Sequence, residues 1–198
     1  MSIVVEHEKR RKEILERALN VFVSEGFENT TFQKIADHCG ITRTTLYIYF
    51  KNKKEIFNYS IKLLLAKAEQ DIRAICSDSS LNHVEKLTRV LLDIFRQLEE
   101  NRLLLSVVLD YLLHLSSSAA NPEQRVRRRT LKLRHILASL VIEGVKSGEI
   151  KAIPINTIDE YLYSLIEAAI FRLIVLQKNT VGELRKTAVF SVKQFAAL

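Results

Sequence analysis

Six times along this chain a residue able to cap a helix is followed three positions later by Glu or Gln. The pairs are Thr30 and Gln33, Asn52 and Glu55, Asn82 and Glu85, Asn121 and Gln124, Thr157 and Glu160, and Thr180 and Glu183. The spacing matters because the first four N–H groups of a helix have no partner inside it. A short polar side chain accepts from one of them while the acid or amide three residues on reaches back to another. Each pair opens a run whose apolar residues recur at helical spacing. Pro122, directly after Asn121, suits a first helical turn, where its missing N–H is no loss. Only 5 Gly and 2 Pro in 198 residues favour helices over a turn-rich β protein.

Helix ends agree with the starts. Gly26 and Gly40 each follow a periodic run and precede an apolar residue, Phe27 and Ile41, which is the pattern of a left-handed C-cap. Ser77 to Ser80, Ser116 to Ala120, and Lys151 to Asn156 with Pro154 read as loops. The expectation is an all-α protein of about nine helices, over 6–25, 31–39, 43–49, 53–76, 82–100, 102–115, 122–147, 157–178 and 180–196. The first three are short and tightly joined, and the others are long. This divides the chain into a three-helix domain over 1–52 and a larger helical bundle over 53–198.

Hydrophobic residues make up 47% of the chain, enough for a sizeable core and too many for disorder. The most apolar stretch, Leu103 to Leu115, contains Ser106, Asp110 and His114 and is too short to span a bilayer. The N-terminus runs into Glu6, Glu8, Lys9, Arg10 and Arg11 rather than an apolar signal core. A cytoplasmic protein with no membrane partner is expected. Cys39 and Cys76 have neither metal nor redox spacing and read as small core residues.

In the N-terminal domain, Ile14, Ala18 and Phe22, with Leu15 and Leu19, make one apolar stripe. Phe32, Ile35 and Ala36 supply the inner face of the second helix, and Leu46 and Phe50 that of the third. Phe32 to Tyr49 is then a helix, a short turn at Gly40-Ile41 and a second helix, the arrangement that lays a recognition helix in the DNA major groove. Opposite its core side stand Arg43, Thr44 and Tyr47, flanked by Tyr49. Arginine pairs with guanine, threonine approaches a thymine methyl, and tyrosine donates to phosphate or packs on sugar. The overall net charge of +7 suits a polyanion weakly, but its distribution is sharper. Residues 31–54 carry five basic residues (Lys34, Arg43, Lys51, Lys53, Lys54) against Asp37 alone, whereas residues 1–30 carry five basic against six acidic. Lys53 opens the fourth helix, beside N–H groups that favour a phosphate.

The run Ala18-Leu19, Phe22, Glu25-Gly26-Phe27, Thr30-Thr31-Phe32, Ile35-Ala36, Cys39-Gly40-Ile41, Thr45-Leu46-Tyr47 and Tyr49-Phe50-Lys51-Asn52-Lys53 resembles the DNA-binding region of the tetracycline-repressor (TetR/AcrR) family. The resemblance covers about the first 60 residues in register; beyond them it extends only to helix number and order. It implies that Thr31, Arg43, Thr44, Thr45, Tyr47, Tyr49 and Lys53 contact DNA, that Leu46 and Phe50 are core, and that Cys39 is a small apolar filler.

No Gly-rich phosphate loop, Ser/His/Asp set or paired-carboxylate pocket appears, and the five histidines have no metal-ligand spacing. Neither catalytic residues, metal nor cofactor are expected, and the chain reads as a non-enzyme. The last two helices carry wide apolar stripes: Ile158, Leu162, Leu165, Ile166, Ala169 and Leu173, then Leu184, Ala188, Ser191, Val192 and Phe195. Intrachain packing is one reading of them. The family resemblance implies the other, pairing with the same helices of a second copy through Leu162, Ile166, Ala169, Leu173, Leu184, Ala188 and Phe195. A homodimer is also expected because one short helix reads too few base pairs for useful specificity.

Reading DNA needs few of the residues present, so the bundle between is expected to hold a small, mostly apolar effector that releases the protein from a palindromic operator. Tyr111 and His114 are candidate polar points in such a pocket, or else satisfied core groups. Arg134 is a further candidate, within the basic run Arg125, Arg127, Arg128, Arg129, Lys132 and Arg134. That run reads as a solvated face, an anionic-effector site or a second DNA surface. A reading from another class remains, in which the chain is a helical adaptor that keeps the module without an effector pocket.

Overall fold

The computed structural model describes residues 3–116 and 122–197, with side chains described over 5–114 and 131–197. Among the described residues there are nine helices: α1 (Ile3–Asn29), α2 (Phe32–Cys39), α3 (Arg43–Tyr49), α4 (Lys53–Ser77), α5 (His83–Glu100), α6 (Arg102–Ser116), α7 (Pro122–Lys146), α8 (Ile155–Ile174) and α9 (Gly182–Phe195). The fold is all-α. Asn121 and the side chains of Gln124, Arg125, Arg127, Arg128 and Arg129 lie outside the described residues, as does the expected loop over 117–120.

Three of the expected starts are realised in modified form or in full. Asn82 and Glu85 form a reciprocal capping box at α5. Asn52 Oδ1 accepts from the Glu55 N–H at 2.9 Å, while Glu55 reaches back one residue further, to the Lys51 N–H at 2.6 Å. At α2 the cap is Thr31, not Thr30, and it accepts from the Lys34 N–H. Thr30 instead donates to the Gly26 carbonyl at 2.6 Å. Thr157 and Thr180 do not cap. Helix α8 starts earlier, after Pro154, and α9 starts after Val181 with no side-chain cap of its own. Gly26 also differs from expectation: its φ of 75° and ψ of 169° break α1 without forming a left-handed cap, and one further turn follows. Gly40 does form that cap, at φ 67° and ψ 35°, where a side chain would be strained. The N–H groups of Gly40 and Ile41 then close on the carbonyls of Asp37 and Ala36 at 3.1 and 3.0 Å.

The chain forms two compact units, Met1–Glu69 with Ser106–Tyr111, and Gln70–Leu105 with Leu112–Leu198. The boundary at 52/53 expected from helix lengths therefore moves into α4. The reason is burial: Ile56 and Phe57 have no exposed surface, and the Ser60 hydroxyl donates to the Leu15 carbonyl at 2.9 Å inside the first unit. That unit packs Ile14, Ala18 and Phe22 of α1 with Ile35, Leu46 and Phe50. Beside them Phe22, Phe27, Phe57 and Tyr111 make an aromatic cluster with ring centroids 4.3–5.9 Å apart.

The second unit has one continuous core in which α5 packs on α7, α8 and α9. Its loops are pinned by charge. Glu99 accepts from the Val181 N–H at 2.7 Å and from Arg185, capping α9 from α5. Against the burial that would raise it, these donors hold the Glu99 carboxyl below the usual carboxylate range. Glu149 accepts from the His83 N–H at 2.5 Å and from its ring at 2.7 Å, and its carboxyl is likewise lowered, chiefly by the backbone N–H. An antiparallel bridge between Ile150 and Ala196 fastens the end of α9 to the segment preceding α8.

Candidate nucleic-acid interface

Helix α3 has seven residues, and only Leu46 among them is buried. So small an anchor cannot hold a helix by itself, and its ends are secured separately. Thr42 accepts from the Thr45 N–H at 3.1 Å, and the two hydroxyls lie 2.8 Å apart, which leaves Thr45 half-buried at the first turn. Phe50 closes the other end from the core. The turn at Gly40 sets α3 against α2, and the Arg17 guanidinium donates to the Cys39 carbonyl beside it. Burial pushes the Cys39 thiol above its ordinary value, so it packs as a protonated, weakly polar filler.

What remains of α3 faces outward. Arg43 and Thr44 are exposed, and Tyr47 is 50% exposed. The Arg43 guanidinium donates to the Tyr47 hydroxyl at 3.1 Å and lies 5.6 Å from its ring centroid. Phe32 backs that ring at 4.5 Å, so Tyr47 stands on a support rather than hanging in water. Thr31, exposed, lies at the start of α2. These residues form a donor-rich, positively charged surface of the kind that meets phosphates and base edges.

Two expected contacts are placed differently from the rest. Lys53 does stand at the start of α4, but its ammonium donates to the carbonyls of Phe27 and Glu28 at 2.9 Å each and lies over the Phe27 ring. It satisfies the end of α1, so the exposed cations at that corner are Lys51 and Lys54. Tyr49 is half-buried and stacks on His7 at 4.5 Å. Two features of this surface have no counterpart in the sequence reading. One is His7, far away in the chain. The other is Ile48, 68% exposed beside Tyr47; its place follows from the same helical periodicity that buries Leu46.

The other expected site residues lie as follows. Leu162, Ile166, Ala169, Leu173, Leu184 and Ala188 are at most 5% exposed within one chain. Within one chain these side chains pack in its own core, and half-buried Phe195 packs against them. On α8, α9 and the segment between them, the large apolar side chains more than half exposed are Phe171, Val175, Leu176 and Phe190. Beside Phe190 a groove of about 260 Å³ runs between α8 and α9, lined by Ile153, Thr157, Ile158, Tyr161, Ser191, Gln194 and Phe195. None of the three expected effector contacts lines it. Tyr111 is buried on Phe27 and Phe57 in the first unit. His114 is exposed. Arg134 is engaged by Asp159 and Glu160 at 2.7 Å each and lies over the Tyr163 ring, so its charge is already matched. Among the described residues, no cluster of His, Cys, Asp and Glu is arranged to hold a metal, and no helix is long and apolar enough to cross a membrane.

Residues 14–59 match the family described as bacterial regulatory proteins, tetR family. Over 150 residues, 73% of each chain, the sequence is 29% identical to the fatty acid metabolism regulator protein of Bacillus subtilis. It is 27% identical to the HTH-type transcriptional repressor KstR2 of Mycolicibacterium smegmatis, over 72% of this chain and 68% of the other. Among solved structures it is similar to the transcriptional regulator FadR from Bacillus subtilis in complex with stearoyl-CoA. That match has a TM-score of 0.68 and 26% identity, and covers 91% of this chain and 96% of that one.

Proposed function

We propose that the chain, whose residues 14–59 match the tetR family of bacterial regulatory proteins, is a cytoplasmic, ligand-responsive repressor that docks α3 in the major groove of a palindromic operator as a homodimer. The observation that carries the proposal is the outer surface of α3. Arg43, Thr44 and Tyr47 are held outward by a helix with a single buried residue, which leaves a donor-rich face open to phosphates and base edges. Thr31, Thr45, Tyr49 and Lys53 complete the contact set, with Lys53 and Tyr49 serving chiefly to fix the corner and Lys51 and Lys54 meeting phosphate.

Two-fold symmetry is required to place two such helices one DNA turn apart, ~34 Å. The outward apolar residues Phe171 and Phe190, with the adjoining groove, support the α8 and α9 face as the place where copies meet. Repression relieved by a ligand that buries a long apolar chain is supported by the similar FadR, whose structure holds stearoyl-CoA. Helix α4 carries residues of both units, so a ligand that favours one packing of the second unit biases the first.

The test uses the full chain. Selection from a randomised duplex pool should recover a two-fold symmetric site whose affinity falls steeply with salt. Titration of that duplex with and without stearoyl-CoA should show a coupling of ~1–3 kcal/mol, equal in both directions by linkage. Salt-insensitive or sequence-independent association would overturn the repressor and favour an adaptor acting through protein contacts.

A further inference from the structure

We propose that Ile48, with the methyl of Thr44 beside it, reads the 5-methyl group of a thymine in each operator half-site. This rests on α3 being the helix that enters the groove. The outer surface of α3 is divided into two rows, each of residues four apart and so one above the other. Arg43 and Tyr47 form the polar row, joined by their 3.1 Å hydrogen bond. Thr44 and Ile48 form the other, and both are exposed.

Ile48 is out of keeping with its surroundings. The other isoleucine and leucine on α2 and α3, Ile35 and Leu46, have no exposed surface, yet Ile48 leaves 68% of its own in water. Isoleucine is also a poorer helix former than the charged residues that usually cover an exposed face. Neither folding nor solubility accounts for it.

The major groove offers one apolar group, the thymine methyl; guanine, cytosine and adenine present donors and acceptors there. Isoleucine has no atom to satisfy those polar groups, so placing it over them strips water without replacement. Over a thymine it covers apolar surface with apolar surface. The side chain therefore selects in both directions, by favouring the methyl and by disfavouring cytosine at the same place. Its branching at Cβ leaves one preferred rotamer on a helix, so the contact is set before DNA arrives.

Deoxyuridine provides a direct test, since it removes the methyl and leaves every hydrogen-bonding group of the pair. The duplex recovered by selection with the full chain is remade with each thymidine replaced in turn, and affinities are measured for wild type, Ile48→Ala, Ile48→Val and Tyr47→Ala. Wild type should lose about fourfold at one symmetric position, the weight of one buried methyl. Ile48→Ala should lose that penalty, Ile48→Val should keep part of it, and Tyr47→Ala should keep it whole while binding more weakly throughout. Thermal unfolding should be unchanged for Ile48→Ala, given its exposure. The proposal is overturned if no deoxyuridine position weakens wild type, or if the penalty survives in Ile48→Ala. It is equally overturned if Ile48→Ala alters self-association and leaves DNA affinity intact. Sequence-specific binding without methyl dependence removes this inference alone, whereas failure to recover any specific duplex removes the repressor reading with it.

Discussion

Helices α3 and α8 solve opposite problems. Seven of the twenty residues of α8 are buried, so its position is fixed by apolar packing along its whole length. Helix α3 buries one residue of seven and is fixed by what surrounds it: the Thr42 cap, the Gly40 turn and Phe50. A helix secured from its ends keeps almost all of its surface for a partner, and that surface carries one cation, two polar side chains and the apolar Ile48. A helix secured along its length has only a remnant for a partner. On α8 that remnant mixes Asn156, Thr157, Glu160, Ser164 and Glu167 with two aromatic side chains, Tyr161 and Phe171, the latter at 53% exposure. Under the proposed function, the contacts with a polyanion and with a like chain are built on different mechanical footings.

The strongest way to break the comparison is to hollow out the packed side. Leu162, with no exposed surface, should cost ~2–5 kcal/mol of stability as Leu162→Ala. Thermal unfolding followed at several concentrations should show the loss at all of them. Phe171→Ala should leave the folded unit nearly as stable and weaken self-association instead, read by sedimentation. If the two variants exchange these phenotypes, the inward and outward faces of α8 have been assigned the wrong way round.

Next in size is the charged cap. Arg185→Ala strips a charge-assisted bond from Glu99 and should cost ~1.5–3 kcal/mol, less whatever solvent recovers. Because folding lowers the Glu99 and Glu149 carboxyls, their contribution is fully present above the ordinary glutamate value and is lost as pH falls through their folded values. Acid unfolding of wild type should therefore be steeper below about pH 4.3, the unperturbed value, than that of Glu99→Gln. Parallel curves would mean that the pair adds nothing.

On the DNA side, Tyr47→Ala should weaken specific binding by ~1–3 kcal/mol. A small stability loss should accompany it, because Phe32 loses its stacking partner. A large stability loss with unchanged affinity per folded molecule would place Tyr47 among the packing residues. Smallest of all, Lys54→Ala should reduce the slope of log affinity against log salt by ~1. Lys53→Ala should instead loosen the end of α1. Equal salt slopes for the two variants would show that Lys53 reaches phosphate despite its two carbonyl partners.

Local signals carried the fold a long way, and most of their failures trace to partners distant in the chain. Asn82 and Glu85 are three residues apart and find each other without help from the rest of the chain. Thr180 and Glu183 have the same spacing, but the α9 start is served by Glu99, more than eighty residues earlier in the sequence. The Thr157 pair is displaced because Pro154 opens α8 first. Lys53 likewise reads as a phosphate seat until Phe27 and Glu28 are seen to hold it. Periodicity has the same limit on α8 and α9: it finds a stripe and does not say whose side chains will cover it. Leu162 and Ile166 form such a stripe and face the chain's own core. On α3 the question does not arise, since a helix with one buried residue has one face accounted for and the rest free.

Under the proposed function, the bond between Arg43 and Tyr47 bears on the thermodynamics of docking. A free arginine side chain carries about 2 kcal/mol of rotamer entropy, most of which is surrendered when it grips a base. Here the guanidinium is already tethered to a phenol whose ring is wedged against Phe32. Part of that disorder has been given up during folding, so association has less left to freeze. The same tether narrows the directions in which the guanidinium points, so a mismatched base meets a group that cannot swing away to find another acceptor. Loss of Phe32 would then be felt at the DNA as a blurring of preference, although Phe32 itself need touch no nucleotide.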